Sequence, residues 1–229
     1  MKSKFERINR LPPYIFSEIN DLKIKLRSEK KDIIDFGMGN PDMPTPLHIR
    51  QKLKDTIDRP GVGRYSVSKG INGLRKAQAK YYKRRFNVNL NINNEIIVTI
   101  GSKEGLANLA QAITSKGDKI LCPDPSYPVH PYGFTIAGAK LIPLKTIYRG
   151  EFDQKKYLID IEKNMKKNSK IKAVIVSFPS NPTAQIVDLD FYKELVKLAI
   201  KYEIYVLSDL AYSEIYFENN PPPSILEVN

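Results

Sequence analysis

Asp209 closes a short apolar run, Ile204 to Leu207, and Tyr212 follows it by three residues. A carboxylate at the end of a buried strand is costly unless a cation pairs with it, and a protonated ring nitrogen would serve. Asn181, in Ser180-Asn181-Pro182, sits in a turn after a second apolar run and can aim its amide into the same crevice. Tyr127, between Pro125 and Pro128, is stiff enough to present an aromatic face. Gly101-Ser102-Lys103-Glu104-Gly105 sets small residues at a helix start. Free backbone N–H groups and the helix dipole favour an anion such as phosphate there. Taken singly, each stretch is equally well explained as a turn, a core residue or the cap of a structural helix.

The elements that must position these residues alternate between strand and helix from Asn94 onward. Ile96 to Ile100 is a continuous apolar run, the pattern of a strand buried on both faces. Leu106, Leu109, Ala110 and Ile113 then recur at helical spacing, with Ser102 as N-cap and Glu104 in the first turn. Lys119 to Cys122 is a second strand, and Leu141 to Leu144 an edge strand interrupted by Pro143. Leu158, Ile161 and Met165 mark a helix, and Ala173 to Phe178 gives the strongest strand signal. A further helix carries Phe191, Leu195, Leu198, Ala199 and Tyr202 behind a cap at Asp188, and Ile204 to Leu207 is the next strand. This order predicts an α/β fold with a mostly parallel sheet covered by helices. Ligands bind beyond the carboxyl ends of such strands, where the polar clusters fall. Residues 1–45, rich in proline near Pro12-Pro13 and Pro41 to Pro46, form an N-terminal arm. Leu74, Ala77 and Tyr81 mark a helix over about 71–86. After Pro221-Pro222-Pro223 only six residues remain, and nothing in them closes a domain.

Composition narrows the function classes. With 229 residues and 41% hydrophobic content, the chain can bury a sizeable core. Its formal charge is +12, with lysine concentrated at Lys23 to Lys31 and Lys163 to Lys172. Both runs are mixed with acids (Glu29, Asp32, Asp160, Glu162) and lack interleaved aromatics, so they are solvated faces and no nucleic-acid partner is expected. Cys122 stands alone at the end of a strand, as a small buried hydrophobe. With only His48 and His130 beside it, neither a structural zinc site nor a cysteine nucleophile is expected. No apolar run reaches the roughly eighteen residues of a membrane span, and Met1 to Arg10 is no signal segment. The expectation is a soluble cytoplasmic protein with no membrane partner.

The ordered set of motifs resembles class I/II pyridoxal-phosphate (PLP) aminotransferases of fold type I. It runs through Met38-Gly39-Asn40-Pro41-Asp42, then Tyr65-Ser66 with Gly70 and Leu74-Arg75, then Gly101 to Leu106. It continues through Asp124 to Pro128, Phe178 to Thr183 and Ser208 to Tyr212. Arg10 to Tyr14 and Asp209 to Tyr212 look most like the bacterial glutamate–pyruvate (alanine) transaminase branch. The resemblance implies a three-layer large domain over 46–229, incomplete, with 1–45 as arm and part of a small domain. It implies a homodimer and PLP as cofactor. Asp209 would pair with the pyridine nitrogen, Asn181 and Tyr212 with the phenolic oxygen, and Tyr127 would stack on the ring. Ser102 and Lys103 would hold the phosphate, joined by Tyr65 across the dimer. Gly39, Tyr14 and Asn181 would meet the substrate. The lysine that binds the cofactor covalently is expected beyond Asn229, so no residue of this sequence is assigned that role and the chain alone is expected to be inactive. The implied activity moves an amino group between an alanine- or glutamate-type L-amino acid and a 2-oxo acid. A lyase on the same fold, or a remnant of a split gene, remain the alternatives. A DNA-binding regulator does not fit, because the arm before Pro46 has no helix-turn-helix pattern.

Overall fold

The computed structural model describes residues 5–37, 39 and 41–228. The chain divides into two compact units. One is Pro12–Val67; the other joins the segment ending at Leu11 to everything from Ser68 on.

The larger unit holds a four-stranded parallel sheet of β1 (Lys119–Asp124), β2 (Lys140–Lys145), β3 (Ile171–Ser177) and β4 (Tyr205–Asp209). Its spatial order is β2-β1-β3-β4. With α1 to α4 placed at Ile15–Ser28, Leu47–Ile57, Asn72–Phe86 and Ser102–Ile113, three further helices cross between the strands. These are α5 (Val129–Ala137), α6 (Gln154–Lys167) and α7 (Leu189–Lys201). Side chains alternate along a strand, so β1 and β3 send neighbours to opposite faces. Leu121, Val174 and Val176 pack with Tyr157, Ile161 and Leu195 of α6 and α7. Ile120, Cys122, Ala173 and Ile175 pack on the other side with Ala110 of α4 and Phe134 of α5. Helix, sheet and helix thus form three layers, and the unbroken apolar run of β3 reflects cover on both faces. Pro143 is tolerated because β2 is an edge strand. Two helix starts are fixed by acids. Asp153 accepts from Lys155 N and Lys156 N at 2.9 and 3.0 Å, and Asp188 accepts from Phe191 N at 2.7 Å.

Four expectations need correction. Ile96 to Ile100 forms no strand; Ile100 is 94% exposed. A strand needs a neighbour for its ladder, and this run's described backbone tie is Val98 N to Lys69 O. Ser102 does not cap α4: Gly101 is the N-cap, and Glu104 accepts the Ile100 N–H at 2.7 Å instead. The helix over 71–86 exists, but Leu74 and Ala77 are exposed while Tyr81, Tyr82 and Phe86 turn inward. The final residues are not idle. A 3-10 turn at Ile225–Glu227, closed by a Ser224 capping box, lets Ile225 and Val228 pack on the α6–α7 side of the core.

The Pro12–Val67 unit contains α1 and α2 and no fully buried residue among those described. Its polar ties include Lys23 to Asp35 at 3.1 Å and the Gly37 N–H to Asp35 Oδ1 at 2.9 Å. No helix among the described residues is long and apolar enough to cross a membrane.

Candidate functional site

The carboxyl end of the sheet gathers the polar residues. Asp209 is the last residue of β4. Its Oδ2 meets Nε2 of His130 at 2.8 Å, and its Oδ1 accepts the Ala211 N–H at 3.2 Å. His130 is fully buried near the start of α5, and the Asp209 side chain keeps 20% exposure. The His130 hydrogen bond holds the Asp209 carboxyl below the usual carboxylate range, against the upward push of burial. An ionised Asp209 accepts, so Nε2 carries the hydrogen. Nδ1 is buried and has no hydrogen-bond partner among the described residues. The costly acid required by the sequence is therefore paired from within the chain, and its remaining open side can face a second cation.

Other predicted residues join this pair. The ring of Tyr127 lies edge-on to His130 with centroids 6.2 Å apart. The Lys103 ammonium stands 5.5 Å from the Tyr127 ring centre. Asn181 Nδ2 donates to the Tyr212 hydroxyl at 2.9 Å, so the turn after β3 touches the turn after β4. Ser102 and Lys103 open α4 behind the N-cap Gly101, which itself brings no side-chain cap. Two glycines shape that start. Gly101 has φ +85°, which few other residues adopt, and a Cβ on Gly105 would lie 2.8 Å from Thr99 Oγ1.

Tyr14, Gly39 and Tyr65 belong to the Pro12–Val67 unit. Tyr14 precedes α1 and pairs with the Phe16 ring at 5.5 Å, and Tyr65 is fully exposed. Met38 and Asn40, on either side of Gly39, lie outside the described residues. Cys122 is buried, its thiol pushed up to about 12 by desolvation, and so is not a nucleophile at neutral pH.

His130 is the residue that sequence reasoning passed over. The sequence reading considers it only beside Cys122, as a zinc ligand or as the partner of a nucleophile. The signal that could have found it was the unmet need of Asp209 in a chain with two histidines.

Known proteins match nearly the whole length of this chain. The Rhizobium meliloti protein AatC, which carries an aminotransferase name, is 51% identical over 226 residues, covering 98% of this chain and 55% of its own. The glutamate-pyruvate aminotransferase AlaC of Escherichia coli is 44% identical, covering 98% and 54%. Among solved structures, a single mutant of Thermus thermophilus aspartate aminotransferase superposes with a TM-score of 0.87 at 26% identity, over 100% of this chain and 58% of that one. The chain thus spans about half the length of the curated relatives it matches. The family model "Aminotransferase class I and II" matches residues 31–229, and the chain belongs to that family.

Proposed function

We propose that the chain forms the PLP-binding face of an aminotransferase acting between an alanine- or glutamate-type L-amino acid and a 2-oxo acid. The observation that carries this is the half-buried Asp209 held by His130 beside the Asn181–Tyr212 hydrogen bond. The donor set fits the cofactor. Asp209 can pair with a protonated pyridine nitrogen, Asn181 and Tyr212 with a phenolic oxygen, and Tyr127 with a ring face. The start of α4 behind Gly101, with Ser102 and Lys103, suits a phosphate. When bound, the cofactor supplies an electron sink for charge at the amino acid's alpha carbon. The protein's part is to hold and orient it: Asp209 would keep the ring nitrogen charged, and His130, bonded at Oδ2, would leave Oδ1, which also accepts the Ala211 N–H, to meet it. Gly39 and Tyr14 are assigned to the substrate and Tyr65 to a phosphate across a homodimer. Residues 1–45 are assigned to an arm and 46–229 to the large domain of a cytoplasmic enzyme.

A binding titration tests this without needing turnover. PLP added to the purified chain should bind saturably, with an absorbance change. Asp209→Asn should weaken binding by about tenfold or more, the loss of one charge-assisted contact. Equal affinity in both proteins would sink the proposal.

A further inference from the structure

Tyr212 lies in a stretch with little regular structure of its own. After β4 the chain runs through turns and coil from Leu210 to Ser224; short backbone bonds such as Ile215 N to Tyr212 O shape the turns, and side chains from elsewhere tie the loop to the rest of the fold. Those side chains come from the last turns of α3. Arg85 Nε meets Glu214 Oε1 at 3.1 Å. Its Nη2 donates to the carbonyl of Ser213 at 3.2 Å and to that of Pro222 at 3.1 Å. One guanidinium therefore joins two points of the loop nine positions apart in sequence, with the neighbouring carboxylate as a third anchor. Tyr81, one turn earlier on α3, donates to Glu214 and lies 3.4 Å from Ser213 Oγ. Ser213, next to Tyr212, is buried, and Arg85 also stands 5.6 Å from the Tyr216 ring centre.

We propose that Arg85 is a positioning residue for Tyr212. Its planar fork closes the loop at Ser213 and Pro222 and so sets the hydroxyl that Asn181 contacts. This rests on the PLP-binding reading of the site and extends it to a residue on a helix outside the sheet's carboxyl end. Only a guanidinium offers several donors in one rigid plane; a lysine keeps the charge toward Glu214 but cannot bridge both carbonyls. The loop is thereby held without any covalent link, so loss of the fork would free its ends.

The test uses the full chain labelled with 3-fluorotyrosine, with the Tyr212 fluorine signal assigned by its disappearance in Tyr212→Phe. Arg85→Ala should shift or broaden the Tyr212 signal while leaving that of Tyr148, bonded to Asp160, in place. Affinities for PLP and for its phenol-methylated analogue are then compared. The unaltered chain should prefer PLP several-fold, and Arg85→Ala should erase that preference. Arg85→Lys should lie near the alanine variant, and it carries the test if Arg85→Ala fails to fold. An unmoved Tyr212 signal in either folded variant overturns the inference, as does an unchanged preference. If the unaltered chain binds no PLP while the Tyr212 signal still moves, the functional reading fails and the Arg85 tie to Tyr212 stands.

Discussion

The sheet unit and the Pro12–Val67 unit carry family motifs alike, yet they differ in what holds those motifs. Asp209, Asn181 and Tyr127 sit at strand ends backed by Val174, Ile175, Leu195 and other fully buried residues. Tyr14, Gly39 and Tyr65 sit on a segment whose Ile34, Phe36, Met43 and Leu53 are exposed. Motif chemistry and motif support are thus separable. A pattern of residues states what a site needs, while burial decides whether the chain fixes the geometry by itself.

The difference can be broken most directly with two leucines. Leu195→Ala, in the core between α6 and α7, should lose about 3 kcal/mol, the cost of a buried large-to-small change. Leu53→Ala should change stability by less than about 0.5 kcal/mol, as exposed positions do. Urea midpoints of the full chain decide it, and equal losses would show that the two regions are supported alike. Next in size is the α7 cap: Asp188→Ala should cost about 1 kcal/mol through loss of the Phe191 N–H bond, read from the same midpoints. Tyr157 sharpens the point in the opposite direction. Its hydroxyl is buried with no hydrogen-bond partner among the described residues, so Tyr157→Phe should raise the melting temperature or leave it unchanged, by up to about 1 kcal/mol. A fall of that size would reveal a partner for the hydroxyl.

The smallest expected effect is a pH dependence. Asp209 has a lowered folded-state pKa, so its contribution to stability is present above the unfolded value of about 3.9 and fades as pH falls through the folded one. Stability of the unaltered chain should drop more steeply below about pH 4 than that of Asp209→Asn. Parallel curves would mean that the His130 contact is not formed in solution.

Local signals were legible in the sequence, and relational ones were not. The run Ala173 to Phe178 announced β3, and Asp188 announced the start of α7, because each depends on neighbours a few residues away. The alternation of strand and helix gave the parallel sheet for the same reason. Ile96 to Ile100 has the composition of a strand, but pairing is a relation between two segments and composition names only one. Ser102 was misplaced by one residue because Gly101 takes the N-cap through its own backbone conformation. His130 escaped because its partner lies 79 positions away. Arg85 escaped because its acceptors are two main-chain carbonyls and a distant glutamate, which no spacing rule connects.

His130 follows β1 and Asp209 ends β4, while β3 lies between those strands. Their contact therefore reaches across the end of the middle strand and ties the start of α5 to the end of β4, a strand that the ladder does not pair with β1. Substitutions at positions 130 and 209 should consequently be non-additive, each removing most of what the other could remove. A change of crossover sequence near α5 would be felt at the acid without touching it.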